Sequence, residues 1–382
     1  MRVSNVGVRV LLSAATVMSV GLAPAAHAAT TATAGPGLQR SLDAVVAAGA
    51  VGVQAEAVDE RGVWRGTSGS ARLDGSRPVP RQGRFRIGST TKTFTATVVL
   101  QLVAERRIGL DDPVGRHLPG LVPDGEHITV RQVLNHTSGL REYLEDAEAY
   151  PIRGQEFLDE VRFTRFSPER LVRDAARKEP YFPPGEGWHY SNTNYLLAGL
   201  IIERVTGRPY GEEVRRRIIE PLGLGNTSVP GGRTSVPGPH AHGYMRVGGR
   251  AVDITRLDPS WAGAAGEMIS TTGDLNRFFG ALLGGRLLPP AQLAAMKTTV
   301  PTGSPDGGAD GLGLMRLPLP CGVTVWGKDG GIHGFTTQSL HSSDGRRHIS
   351  ISVNEADFFG EEYPQVIAAV QKAATAAFCG PE

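Results

Sequence analysis

The stretch Phe85-Arg86-Ile87-Gly88-Ser89-Thr90-Thr91-Lys92 joins a short extended segment to a run, residues 89–105, in which Phe94, Val98 and Leu102 recur at helical spacing. A helix is therefore expected to open near Ser89. The Ser-x-x-Lys spacing sets a hydroxyl and an ammonium one turn apart on the same helix face. Lysine at that position is able to take the serine proton once burial and neighbouring positive charge lower its pKa, and a helix N-terminus favours the anion that develops. Lysine is scarce in this chain: of 40 basic residues only Lys92, Lys178, Lys297, Lys328 and Lys372 are lysines. Each of the five is worth a chemical explanation.

Outward from that stretch, residues 38–48 read as a helix, 52–58 as an alternating strand and 63–71 as its hairpin partner. The middle of the chain, residues 106–290, carries helical segments at 130–134, 168–177, 193–205, 210–219 and 272–283, broken by Pro/Gly loops. The end returns to strands at 311–317, 323–326, 334–341 and 348–354 before a last helix at 363–378. Strand and helix ends that enclose a helical middle predict an α/β domain, discontinuous over 38–105 and 291–382, with a mostly helical domain inserted at 106–290.

Forty basic against 38 acidic side chains leave a net charge of +2, with no basic run of the kind that tracks a phosphate backbone, so nucleic acid is not an expected partner. Arg2 and Arg9 precede an apolar run over residues 10–23, followed by Ala26-His27-Ala28, a small-x-small cleavage pattern. Residues 1–28 are read as a secretory signal peptide, which predicts an exported protein, extracellular or associated with the cell wall. No later stretch reaches the roughly 18 apolar residues of a membrane helix. In an oxidising compartment Cys321 and Cys379 are expected to form a disulfide that pins the last helix to a distant strand; two buried free thiols are the alternative. Two thiols do not fill a zinc site, and His240-x-His242 lies in a Pro/Gly-rich loop without a third ligand nearby, so no metal is expected.

Two further elements carry chemistry. Tyr190-Ser191-Asn192 is the single Tyr-x-Asn among eight tyrosines and leads into a helix. A phenol beside a lysine acts as acid or base, and a carboxamide orients a substrate amide. Lys328-Asp329-Gly330-Gly331 falls between the strand ending at Trp326 and the one beginning near Gly334, where a hairpin turn is the plain structural reading. Neither His-Glu-x-x-His nor Gly-x-Ser-x-Gly occurs, so the zinc-protease and α/β-hydrolase readings lack their markers. His136 is read as an internal histidine, and His333, two residues past Gly331, as a rival general base lining the cleft.

The three elements in this order resemble the penicillin-recognising serine hydrolases, in the branch of the serine-type D-alanyl-D-alanine carboxypeptidases and class C β-lactamases. The blocks at residues 85–92, 128–140, 182–207 and 264–275 look like those of that family, and the resemblance extends over residues 38–378. It implies an antiparallel sheet flanked by helices with an inserted helical domain, Ser89 as acyl-enzyme nucleophile, and Lys92 and Tyr190 as proton-transfer partners. Asn192 and Lys328 would position substrate, and the N–H groups of Ser89 and Gly331 would form an oxyanion hole. No cofactor is implied, the ligand is expected to be a cell-wall peptide or a β-lactam, and the chain is expected to act as a monomer. Lys328 stands where the carboxypeptidases commonly have His, and Asp329 where they commonly have a small hydroxyl. A carboxylate there repels a substrate carboxylate unless Lys328 or Arg316 neutralises it. The expectation is a D-Ala-D-Ala carboxypeptidase, with β-lactamase, esterase, D-aminopeptidase, peptide cyclase and a non-catalytic sensor as alternatives.

Overall fold

The computed structural model describes residues 34–357 and 359–380; the signal peptide read at residues 1–28 lies outside them. Helix α1 (Ala34–Ala47) precedes the hairpin β1 (Gly52–Asp59) and β2 (Gly62–Gly69). A single 3-10 turn at Gly88–Thr90 then feeds α2 (Thr91–Ala104), so Ser89 sits in that turn and Lys92 in the helix proper. After the helical middle, which includes α3 (Asn192–Thr206), α4 (Gly263–Gly266) and α5 (Thr272–Leu283), six strands follow. These are β3 (Val300–Pro301), β4 (Ala309–Asp310), β5 (Met315–Pro318), β6 (Thr324–Ile332), β7 (Phe335–His341) and β8 (His348–Asn354), and α6 (Tyr363–Cys379) closes the chain.

The eight strands form one sheet in the order β2-β1-β8-β7-β6-β5-β4-β3, antiparallel throughout. The fold is thus the mixed α/β architecture with a large antiparallel sheet and flanking helices that the motifs implied. Strand alternation gives its two faces opposite character. Val53, Ala55, Ile349, Ile351, Val353 and Leu340 face Leu42 and Val45 of α1 and Val366, Val370 and Phe378 of α6 in one dry layer. On the other face Glu56, Ser339 and Ser350 are buried against α5, where Asn276 donates to the Glu56 carbonyl (2.9 Å) and accepts from Ser350 Oγ (2.7 Å). Glu56, Ser339 and Ser350 are therefore each paired, Glu56 also with Arg65 (2.6 Å) and Ser339 with Ser350 (2.8 Å). The Cys321–Cys379 disulfide, with Cα atoms 5.7 Å apart, ties the end of α6 to the loop before β6.

Helix α2 is enclosed on nearly every side, which its sequence reflects by carrying apolar or hydroxyl side chains at all positions except Lys92 and Gln101. Its buried threonines bind it to its surroundings: Thr93 Oγ1 donates to Gly313 O (2.7 Å) and Thr95 Oγ1 to Ala264 O (2.8 Å).

One expectation needs correction. Residues 328–331 are not a turn: they are the second half of β6, paired with β7 from Lys328↔Ser339 to Gly331↔Thr336. The turn lies at His333-Gly334, where Gly334 takes φ +79°. Strand β5 pairs only with residues 324–327, so the other edge of β6 beyond Gly327 is left for the Ser89 turn. A Cβ on Gly88 would lie 2.8 Å or less from Gly331 backbone atoms, and one on Gly330 would lie 2.0 Å from Ile87 O. Glycine is needed at both positions because two backbones meet there.

Candidate active site

Three separate segments deliver the side chains. The 3-10 turn and first turn of α2 bring Ser89 and Lys92, the loop capped by α3 brings Tyr190 and Asn192, and the free edge of β6 brings Lys328 and Gly331. Lys92 Nζ lies 3.0 Å from Ser89 Oγ, and Tyr190 Oη donates to the same Oγ at 2.7 Å. Lys92 Nζ also donates to Asn192 Oδ1 (2.6 Å) and to the carbonyl of Ala265 in α4 (2.8 Å). A neutral amine has two N–H bonds for these two acceptors and one lone pair, which then points at Ser89 Oγ. Burial, reinforced by the charge of Lys328, holds Lys92 well below the ordinary lysine pKa, while the Glu142 carboxylate pulls the other way. The arrangement thus favours the uncharged form of a lysine beside a serine hydroxyl.

Tyr190 is held by its own neighbours. The His136 ring lies 4.5 Å from the Tyr190 ring, and His136 Nδ1 accepts from Ser191 N (3.2 Å). His136 is buried, and that burial keeps its pKa low, in keeping with an internal supporting role. Burial raises the Tyr190 pKa, with Lys328 opposing, so the phenol stays protonated and donates to Ser89. His333 does not reach the site: its ring stacks on Phe157 at 4.1 Å, its Nε2 donates to Ile152 O (2.8 Å), and burial lowers its pKa to about 4. It lies outside the cleft lining, contrary to its reading as a rival base.

Lys328, also buried, differs from Lys92 in having a carboxylate partner. Its Nζ lies 2.6 Å from Asp329 Oδ1, and the Asp329 side chain is 60% exposed. Burial disfavours the Lys328 charge, but Asp329, with Tyr190 and Asp310 adding to it, more than offsets this and the pKa ends above the ordinary lysine value. Asp329 is correspondingly lowered by Lys328. Of the two cations considered for Asp329, Lys328 is therefore the one that pairs with it.

Two acidic residues at the site had no motif to announce them. Glu142, nearly buried, accepts from Asn192 N (2.5 Å) and Asn192 Nδ2 (2.9 Å), which turns the amide oxygen of Asn192 toward Lys92. Asp310 lines the same cleft from β4. The cleft encloses about 580 Å³ between Ser89, Tyr190 and Trp188, the β6–β7 strands and the start of α6. Asp306, Asp310 and Asp329 line it against a single lining lysine, Lys328. Among the described residues no group of three or more metal-ligating side chains comes together, and His242 instead pairs with Asp253 at 2.6 Å.

A serine hydroxyl held between a buried lysine and a tyrosine, on an antiparallel sheet with flanking helices, defines a serine acyl-transfer hydrolase. The chain belongs to the beta-lactamase family, whose pattern matches residues 38–370, and it is a serine hydrolase of the β-lactamase and penicillin-binding-protein group. It is similar to the D-stereospecific amidohydrolase from a Streptomyces species, with 45% identity, TM-score 0.82, and coverage of 91% of this chain and 99% of that one. The D-amino acid amidase from Ochrobactrum anthropi SV3 is 31% identical, with TM-score 0.76 over 89% of this chain and 99% of that one. Penicillin-binding protein 4* of Bacillus subtilis (strain 168) is 29% identical over 316 residues, 78% of this chain. The match spans 66% of that protein, and 47% and 46% of the next two curated relatives.

Proposed function

We propose that this chain hydrolyses amides, short peptides and esters of D-amino acids through an acyl-enzyme on Ser89. The observation that carries this reading is Ser89 Oγ within hydrogen-bond reach of both Lys92 Nζ and Tyr190 Oη. Neutral Lys92 takes the serine proton as Oγ attacks the substrate carbonyl, and the N–H groups of Ser89 and Gly331 receive the developing oxyanion. Tyr190 relays a proton to the departing amine or alcohol. Water then attacks the ester, giving its proton to the same base, and the free acid leaves. Asn192 and Lys328 position the substrate.

Similarity to a D-stereospecific amidohydrolase and to a D-amino acid amidase, each over about nine-tenths of this chain, supports the D-amino-acid substrate class. The excess of carboxylates lining the cleft speaks against a substrate whose recognised end is itself a carboxylate. A second reading, removal of the terminal D-Ala from D-alanyl-D-alanine cell-wall peptides, is favoured by one observation: Lys328 offers an ammonium beside the nucleophile. Export guided by residues 1–28 is part of the proposal, and sequencing the N-terminus of the mature protein tests it, with a start at residue 29 as the expected result.

A panel of D-phenylalaninamide, a D-phenylalanine ester, a D-Ala-D-Ala peptide and penicillin separates the readings. Turnover of the amide and ester well above that of the dipeptide is the expected result. Fast dipeptide cleavage with a long-lived penicillin adduct would move the assignment to a carboxypeptidase, and fast penicillin turnover to a β-lactamase. No added mass on the Ser89 peptide with any of the four would leave a binding protein without catalysis.

A further inference from the structure

Asp310 is a carboxylate without a partner at the edge of the reaction site. Its residue is 8% exposed, yet it meets Lys328, Asp329 and Lys92 only at a distance, and among the described residues its carboxylate receives no hydrogen bond and no ion pair. Burial raises the pKa of its carboxyl, because a charge held there without a partner is costly. Asp310 is among the residues lining the cleft that holds Ser89 and Tyr190.

The position is also rigidly tied to the nucleophile. Strand β4 carries Asp310 between Val300 of β3 and Met315 of β5. The tight turn that follows, closed by Gly311 N donating to Leu314 O at 2.8 Å, packs against α2: Thr93 Oγ1 donates to Gly313 O (2.7 Å), and a Cβ on Gly313 would fall 2.6 Å from Ala96 Cβ. Asp310 is thus registered on the helix that holds Lys92. Lys328 is already answered by Asp329, so it does not satisfy Asp310 by direct contact.

We propose that Asp310 receives the α-ammonium group of the substrate, so that the enzyme selects D-aminoacyl amides and esters with a free amine over N-acylated ones. This rests on the D-amino-acid reading given above. An ammonium entering the cleft supplies the charge-assisted hydrogen bond that Asp310 lacks, and an N-acyl group brings no charge to the same place. The charged and titratable groups facing Asp310 are Lys328 and Asp329 from β6, Lys92 from α2, Tyr190 from the loop before α3, and Tyr195 from α3.

The test compares D-phenylalanine methyl ester with its N-acetyl derivative on the wild type and on Asp310→Asn. The wild type is expected to prefer the free amine, and Asp310→Asn to raise KM for that ester roughly ten- to hundredfold more than for the N-acetyl ester, while any change carried through Lys92, whose pKa Asp310 raises, falls on both esters alike. Equal losses on both esters would overturn the proposal and make Asp310 a group that tunes Lys92 and Lys328. Should Asp310→Asn fail to fold, the wild type alone decides: KM for the free-amine ester is expected to climb as pH passes the substrate amine pKa, about 7.7–8.0 for an α-amine, while KM for the N-acetyl ester does not. Parallel KM profiles would overturn it. If neither ester turns over, the hydrolase reading fails by itself, and calorimetry still reads this inference: Ser89→Ala is expected to bind D-phenylalaninamide more tightly than N-acetyl-D-phenylalaninamide, and equal affinities would overturn it.

Discussion

Lys92 and Lys328 are both buried within one cleft region, and their surroundings push their pKa values in opposite directions. Lys92 is fully enclosed among neutral acceptors, the Asn192 amide oxygen and the Ala265 carbonyl, with its nearest carboxylate influence coming from Glu142 behind Asn192. Lys328 touches a carboxylate directly. Burial pushes both pKa values down, and only for Lys328 do negative neighbours, Asp329 first among them, reverse the direction. The difference shows how one site keeps a base and a fixed cation a few residues apart in space: a lysine given dipoles loses its proton readily, and a lysine given a counter-ion keeps it.

The largest effects test the neutral member of the pair. Ser89→Ala removes the attacking oxygen and is expected to cut acylation by on the order of 10⁴-fold or more, and Lys92→Ala by roughly 10²–10⁴-fold, both read by mass spectrometry and steady-state kinetics. Near-normal acylation in Lys92→Ala together with its loss in His333→Ala would break the comparison by moving the base to a histidine. Smaller and selective is the expected loss in Lys328→Ala. Carboxylate-bearing substrates should lose roughly ten- to hundredfold in kcat/KM through a missing charge-assisted hydrogen bond, and neutral esters far less. Equal losses on both would mean that Lys328 acts on Lys92 rather than on substrate.

The pH profile sharpens the coupling between the two. Activity is expected to rise with pH as Lys92 loses its proton, at a pH below the ordinary lysine pKa of 10.5. Lys328 lowers the Lys92 pKa and Asp329 raises it. Lys328→Ala should therefore move the acid limb of kcat/KM to higher pH, and Asp329→Asn should move it to lower pH. Shifts in the same direction would contradict the electrostatic account.

The smallest effect is on stability, and its sign differs between the two lysines. The folded-state pKa of Lys92 is depressed, so the folded protein binds fewer protons than the unfolded chain between that pKa and 10.5, and the charge burden of Lys92 is heaviest below it. The stability of Lys92→Met relative to wild type is thus expected to be most favourable in acid and to decline as pH rises. Lys328 has a raised pKa and contributes stability that is fully present below 10.5 and lost only as pH rises through its folded value. Lys328→Met should therefore show a loss that stays flat across neutral pH. Denaturant unfolding of both variants at pH 6 and pH 9 checks the contrast.

Much of this was legible in the chain before its structure. Local periodicity marks the helices at 130–134 and 272–283 and the strand at 348–354 with boundaries matching those observed. Side-chain chemistry in short motifs marks Ser89, Lys92, Tyr190 and Asn192, because a serine one turn from a lysine is a local relation that a helix makes inevitable. What periodicity misread was Lys328 to Gly331. Two glycines look like a turn, yet here they let one backbone pass against another. The acidic residues were invisible for a different reason. Glu142 and Asp310 belong to no motif, and their importance comes from burial and from neighbours 50 and more residues away in sequence for Glu142, and across several strands for Asp310. The same holds for the protonation states. Sequence determined which groups are present at the site, whereas desolvation and distance, which exist only once the chain has closed around them, lower the pKa of Lys92, raise that of Lys328 and leave Asp310 without a partner among the described residues.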